Sequence, residues 1–448
     1  MALNKTLLKS TVVAALGGLL FGFDTAVIAG ATAALTTKFQ LSPNGLGITV
    51  SVALWGTVFG ALLASIPGDR YGRRDSLRVM AIFYLVSALG CAFATNWDAL
   101  LFFRFIGGLA IGGSSVLGPM YITEIAPAKW RGRLVGLFQF NVVAGILIAY
   151  LSNYVVGLFL QGGTHEWRWK LGISALPAAL FFLMLFGIPR SPRWLARKGR
   201  IAEARSVLEA IGEENIDSEL RAMNDAFEQE KKQGQERLFQ AKYRLPLFLA
   251  FSIAIFNQFS GINAILYYLN DIFAAAGFSG WSNALQAVAI GAANLIATMI
   301  ALRVIDRVGR RKLLLIGAIG TACALAGVAT IFASGAGMGL LLTMLIVFIA
   351  FFAFSQGAVI WVYLAEIFPT AVRARGQALG SATHWGMNAL IAQVFPMIAV
   401  YTQSLPFAFF AACMVLQFFV VLAIFPETRG VELESMDQAL AKPSGAKS

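Results

Sequence analysis

The chain has 448 residues, 58% hydrophobic and 13% charged, with a net charge of +12 and a mean hydropathy of +0.72. An ordinary soluble domain is about 45–50% apolar and 25% charged; apolar tracts of about 20 residues recurring along this chain mark instead a polytopic membrane protein. The positive charge does not mark a nucleic-acid binder, because the basic residues gather in short loops between apolar tracts, without an aromatic-interleaved basic patch or zinc spacing.

Twelve spans are expected, near 8–33, 46–66, 77–95, 99–121, 133–158, 168–188, 245–273, 282–303, 312–333, 338–363, 375–399 and 405–425. The first carries a carboxylate, Asp24, within GGLLFGFDTAVIAG. It is too long for the apolar region of a signal peptide and is expected to remain as a span. A charge at the centre of a spanning helix costs roughly 2.5–3.5 kcal/mol on insertion scales, so Asp24 is expected to have a use. Arg104, in LLFFRFIGG of the fourth span, lies at comparable depth and is its natural partner. The glycine pairs Gly18 and Gly22, Gly56 and Gly60, and Gly108 and Gly112 have the spacing that lets helices approach closely. GGLAIGG lacks the strand-to-helix context of a phosphate loop. Cys91, Cys323 and Cys413 are far apart in apolar tracts, make no disulfide framework or metal site, and are expected to pack.

Arg70, Arg73, Arg74 and Arg78 follow the second span; Lys129, Arg131 and Arg133 follow the fourth. The loops of the other face are nearly free of such residues, Lys38 being the main exception, which places both termini in the cytoplasm. The segment 199–238 holds ten of the 23 acidic residues, with apolar positions such as Val207, Leu208 and Ile211 at helical spacing. Short cytoplasmic amphipathic helices are expected there.

The chain repeats itself. GDRYGRR (68–74) returns as DRVGRR (306–311), and YITEIAPAKWRG (121–132) as YLAEIFPTAVRARG (363–376), with Glu124 and Arg131 mirrored by Glu366 and Arg373. SPRW (191–194) is loosely echoed by PETRG (426–430). The offset is about 240 residues each time. The expected architecture is an all-α polytopic membrane protein of twelve transmembrane helices in two pseudo-symmetric six-helix bundles with cytoplasmic linker helices. Its parts are an N-terminal half (1–190), a linker (191–244), a C-terminal half (245–430) and a cytoplasmic tail (431–448). Parallel halves with a midplane site describe a secondary transporter.

Together with RFIGG, PRSPRW and NQFSGINAILYY (257–268), these motifs resemble the major facilitator superfamily, and more narrowly its sugar porter family, over almost the whole chain. The first-span segment is especially similar to bacterial proton-coupled sugar symporters; facilitative glucose carriers of animals have asparagine where Asp24 stands. The resemblance implies inward transport of a hexose or pentose with a proton, with Asp24 and Arg104 as the coupling pair. Gln139, Gln258, Asn263, Asn294 and Asn388 match the family's sugar-binding amides, each able to bridge adjacent hydroxyls. Trp361 and Trp385 match aromatics near the sugar, with Phe21 and Tyr267 as gates or walls. Arg70, Arg73, Arg74, Glu124, Arg131 and Arg193, with Arg307, Arg310, Arg311, Glu366, Arg373 and Glu427, resemble the network that locks the cytoplasmic side.

Some positions depart from the family pattern. Asn257 replaces the first glutamine of a Gln-Gln pair and His384 stands where relatives often carry Gln or Asn, both expected among the substrate-binding residues; Ala358 and Ile360 replace prolines, and Arg190 replaces glutamate. A uniporter or a carrier of a cyclitol such as inositol remains an alternative, as does a transporter-like sugar sensor, which would ordinarily carry a long signalling tail. No enzyme constellation, cofactor or metal site is expected. The expected partners are a monosaccharide, a proton and the bilayer of the plasma membrane (the inner membrane of a bacterium), and the expected state is a monomer.

Overall fold

The computed structural model describes residues 4–127, 129–160, 163–232, 238–278, 280–369 and 372–429. The expected tail, 431–448, lies outside the described residues. Eleven of the described helical stretches are long and apolar enough to cross a membrane. The remaining expected span, near 375–399, is also one continuous helix, Arg373–Ala399, interrupted in composition by polar side chains such as His384 and Asn388.

By its contacts the chain forms two compact units: Met1–Val27, Val52–Ser152 and Gly162–Gly234 in the first, and Ile28–Ser51, Asn153–Gln161 and Gln235–Ser448 in the second. The first unit holds α1 (Lys5–Val27), most of α3 (Pro43–Leu63), α4 (Ser65–Tyr71), α5 (Arg73–Phe93), α6 (Trp97–Ile125), most of α7 (Arg131–Leu160), α8 (Glu166–Gly172) and α9 (Ala175–Met184). It also holds the short helices α10 (Pro192–Arg197), α11 (Ile201–Ile211) and α12 (Ile216–Lys232). The amphipathic reading of the acidic segment is realised in these last helices: Leu208, Ile211 and Met223 join a core with Leu7, Tyr121 and Ile188.

The second unit takes in α2 (Thr32–Phe39), α13 (Arg244–Phe259), α14 (Ile262–Tyr267), α15 (Leu269–Ala275), α16 (Gly280–Val308) and α17 (Arg310–Ser334). It is completed by α18 (Leu341–Phe352), α19 (Ala358–Glu366), α20 (Arg373–Ala399) and α21 (Ser404–Ile424). Several breaks interrupt otherwise continuous rods. A short 3₁₀ turn, Ile28–Gly30, bends the chain between α1 and α2. Gly261, at φ +79°, breaks α13 from α14, and a Cβ there would lie 2.3 Å from the Phe410 ring. A π-helical turn, Ala353–Gly357, joins α18 to α19.

The glycine pairs sit where helices touch. A Cβ on Gly56 or Gly60 of α3 would lie 2.4 Å from the Phe105 or Leu109 carbonyl oxygen of α6, and one on Gly108 or Gly112 of α6 would lie 1.9 Å or 2.2 Å from the Ala53 or Thr57 carbonyl of α3. Gly22 of α1 meets the Val142 carbonyl of α7 at 1.8 Å in the same construction. With no hydrophobic force between helices in lipid, such backbone approach is what packs them. Of the cysteines, Cys91 and Cys413 are buried as expected, but Cys323 is exposed, on a face of α17 turned away from the core.

Candidate transport site

In the first unit, Asp24 is half-buried on α1 and Arg104, on α6, is 4% exposed. α1 packs along α6, and the guanidinium is the charge that acts on the carboxyl. Beside them the Tyr84 hydroxyl and the Ser114 Oγ are 2.8 Å apart, and Tyr84 lies in the field of Asp24. Sequence alone does not single out Tyr84 and Ser114, whose only signal is a tyrosine and a serine within apolar helices. Phe21, one turn before Asp24, and Gln139 on α7 are half-buried and belong to this unit.

The second unit gathers Gln258 and Asn263, with Asn257, around the break at Gly261. Ending α13 there leaves carbonyls without helical partners, and the Ser260 hydroxyl donates to one of them, the Asn257 oxygen, at 2.6 Å. The Gln258 amide donates to Asn257 Oδ1 at 3.0 Å and lies 3.2 Å from both ring nitrogens of His384. Asn263, half-buried across the break, donates to Gln258 Oε1 at 3.0 Å. Trp361 and Trp385 each stand with their rings 5.0 Å from that of His384, and Trp361 keeps 39% of its surface exposed. Asn388 donates to the Tyr267 hydroxyl at 3.0 Å, leaving its own Oδ1 buried and unpartnered. Asn294 is buried on α16. Missed from sequence is Gln356 in the π-helical turn, which donates to Gln417 at 2.7 Å while its backbone oxygen lies 3.5 Å from the Asn257 amide. Polar groups of this kind among aromatic and apolar side chains are what a sugar's hydroxyls and ring require.

The charged motifs fold alike in the two units. Gly72 and Gly309 both take left-handed φ, +93° and +97°, in a turn between helices. The next residue in each case, Arg73 or Arg310, reaches a glutamate: Arg73 Nε to Glu124 at 2.9 Å, and Arg310 to both oxygens of Glu366 at 2.9 and 3.2 Å. The echo of SPRW and PETRG also has a physical basis. Trp194 covers Gly72, and Glu427 covers Gly309 and accepts from the backbone nitrogens of Arg310 and Arg311. Glu427 is therefore a helix cap for α17 as well as a charge. Asp75 accepts from Arg74, Arg78 and Arg190, so the arginine at 190 finds a partner. Arg311 donates to the Leu422 carbonyl and Arg373 to that of Phe368. Arg131 Nε is buried without a partner, Arg70 stacks over Tyr71, and Arg193 and Arg307 are exposed.

Comparison with known proteins agrees with this architecture. The family described as "Sugar (and other) transporter" matches residues 10–440. The chain belongs to the sugar porter family. Within that family it is 37% identical to the D-xylose transporter of Levilactobacillus brevis over 439 residues, 96% of this chain and 95% of that protein. It is 36% identical to the arabinose-proton symporter of Bacillus subtilis, covering 96% and 94% of the two chains. A solved structure of the Escherichia coli xylose transporter XylE, in an inward-open conformation, superposes with a TM-score of 0.86 at 31% identity, covering 96% of this chain and 99% of that one. Family and fold are those of membrane-embedded transporters, not enzymes.

Proposed function

We propose that the chain imports a monosaccharide, a pentose or hexose, together with a proton by alternating access. Asp24 would bind the proton and Arg104 would be its charge partner. The observation that carries this reading is the carboxylate on α1 set against the nearly buried guanidinium of α6 inside an apolar bundle. An arginine holds such a carboxylate ionised while burial favours the neutral acid, so a modest rearrangement shifts the balance. Protonation of Asp24 from outside would release Arg104 and let the loaded carrier reorient. Ionised Asp24 would hold the pair together and oppose that step.

The amides around Gly261 supply the sugar-binding half of the reading. Asn263 and Trp361 keep exposed surface there, whereas Gln258 orders them through its bonds to Asn257, Asn263 and His384. The relatives described as xylose transporter and arabinose-proton symporter support the same substrate class. The arginine-rich turns at Gly72 and Gly309 belong on the cytoplasmic side by the distribution of positive charge, which also puts both termini there. Their ion pairs would brace the cytoplasmic ends of the two six-helix halves in an inner-membrane monomer.

Uptake of labelled xylose, arabinose, glucose and galactose into proteoliposomes under an inward proton gradient tests this. Accumulation that a protonophore abolishes is the expected result; equilibration without accumulation would make the chain a uniporter and return Asp24 to a structural role.

A further inference from the structure

At the end of the second unit remote from the arginine turns lies a cavity of about 440 Å³, lined by residues of α2, α3, α15, α20 and the loop before α21. Exposed Ala33 and Val400 form part of its wall, so it opens to the surface. Asp271, in the first turn of α15, is its charged lining residue. α15 packs on the 3₁₀ turn Ile28–Gly30, the bend between α1 and α2, and the Thr32 hydroxyl lies in hydrogen-bonding reach of the Asp271 carboxyl. Two polar atoms facing this cavity have no partner and no exposed surface: Asp271 Oδ2 and Thr36 Oγ1.

A carboxylate oxygen withdrawn from water with no donor is unfavourable when charged and much less so when neutral. We infer that Asp271 is a second proton-binding carboxylate of this transporter, and that proton uptake there favours the packing of α15 onto the bend between α1 and α2. The inference rests on the topology of the proposed function, which makes this the external side. It concerns a group 247 positions from Asp24 in sequence, on a different unit.

Among the described residues no opposing charge lines the cavity. On α14 and its junction with α15 the titratable groups are Tyr267 and Tyr268, whose hydroxyls are engaged by Asn388 and by the Ala392 carbonyl. α2 contributes exposed Lys38, outside the cavity lining. α3 has no charged residue, and those of α16 begin at Arg303, near its far end. Those of α20, and His384, precede Asn388 and so lie far from Pro396 and Ala399 of the cavity wall. The apolar span here is Ala241–Tyr267, shorter at this end than the expected 245–273, so Asp271 lies beyond it. Burial pushes its carboxyl up from the ordinary 3.8 to about 6, with the Thr32 hydroxyl restraining the rise. The sign follows: the packed arrangement binds the proton more tightly than a hydrated one. External acid therefore favours packing, and the preference is lost as pH rises through about 6.

The experiment places a reporter thiol in the cavity wall, Gln403→Cys, and measures its labelling by a membrane-impermeant maleimide on intact cells from pH 5 to 8, without sugar. Dividing by the rate for the same variant carrying Asp271→Asn cancels the thiol's own titration. The expected ratio plateaus above pH 7 at roughly a hundred, the span of a shift from 3.8 to about 6, reaches half of that near pH 6 and is about tenfold below the plateau at pH 5. Thr32→Val, which removes the restraining hydroxyl, should move the midpoint upward. A ratio independent of pH, or a midpoint that Thr32→Val leaves in place, overturns the proposal while leaving the transport reading intact. Labelling obtained only from the cytoplasmic face overturns the topology and this proposal together, whatever the outcome of sugar uptake.

Discussion

Replacing Gly108 by alanine would put a Cβ 1.9 Å from the Ala53 carbonyl oxygen and 2.9 Å from the Gly56 Cα, both in the backbone of α3. A backbone oxygen cannot rotate away as a side chain can, so α3 and α6 must part by about 1 Å to restore ordinary contact, and overpacking of this kind costs about 1–3 kcal/mol. Alanine also recovers up to about 1 kcal/mol of helix propensity, which partly offsets the clash. The net expectation is a loss of about 1–2 kcal/mol. Gly136 on α7 is the internal control, since a Cβ there meets nothing within 4 Å; Gly136→Ala should be neutral or slightly stabilising. Unfolding in mixed micelles by added anionic detergent, followed by tryptophan fluorescence, reads the difference between the two variants directly. Equal midpoints for Gly108→Ala and Gly136→Ala would refute the argument that backbone contact sets the spacing of these helices.

Glu366→Gln leaves the Arg310 guanidinium, whose side chain is 9% exposed, with one neutral acceptor in place of two charged ones. Breaking a buried pair from one side costs about 3–5 kcal/mol, and the 20% exposure of Glu366 places the expectation at the lower end in the same unfolding assay. Arg190→Ala should cost under about 1 kcal/mol, because Asp75 retains Arg74 and Arg78 and the Arg190 side chain is 32% exposed. Asp75→Asn, which leaves three guanidiniums facing one another, should unfold well before it. In transport, Asn263→Ala should weaken apparent sugar affinity by roughly 2–10-fold, the value of one neutral hydrogen bond, and should cost about 1–3 kcal/mol of stability by stripping buried Gln258 Oε1 of its donor. Gln258→Ala should lower both affinity and stability, since it removes the centre of the network that joins Asn257, Asn263 and His384.

Much of this architecture is legible in the residues because local motifs repeat. Gly72 and Gly309 stand at the same place in their motifs, and the same left-handed turn follows from each. The glycine pairs announce close approach by their spacing alone, although which helix each meets is decided by packing. Partners distant in sequence were harder to read. Glu427 reads in sequence as a charge in a network, yet it also caps α17, because only the fold brings the chain after α21 over the Gly309 turn. Gln356 is not legible in sequence, because a lone amide in an apolar run does not reveal whether it meets lipid or, as here, Gln417. Cys323 looked like its two buried counterparts, since composition does not give the rotation of α17 about its axis. The site at Gly261 lies between these cases: its amides are evident in NQFSGIN, but the helix break that orders them around His384 depends on Phe410 packing against that glycine.

The coupling role of Asp24 is decided by comparing accumulation with exchange in Asp24→Asn. Reconstituted side by side, the native chain and the variant would be given the same labelled pentose, once with an inward proton gradient and once preloaded with unlabelled sugar for counterflow. The variant is expected to keep counterflow and lose accumulation, because the neutral amide leaves Arg104 released and the carrier free to reorient with sugar but without a proton. Accumulation by Asp24→Asn at the native level would contradict it.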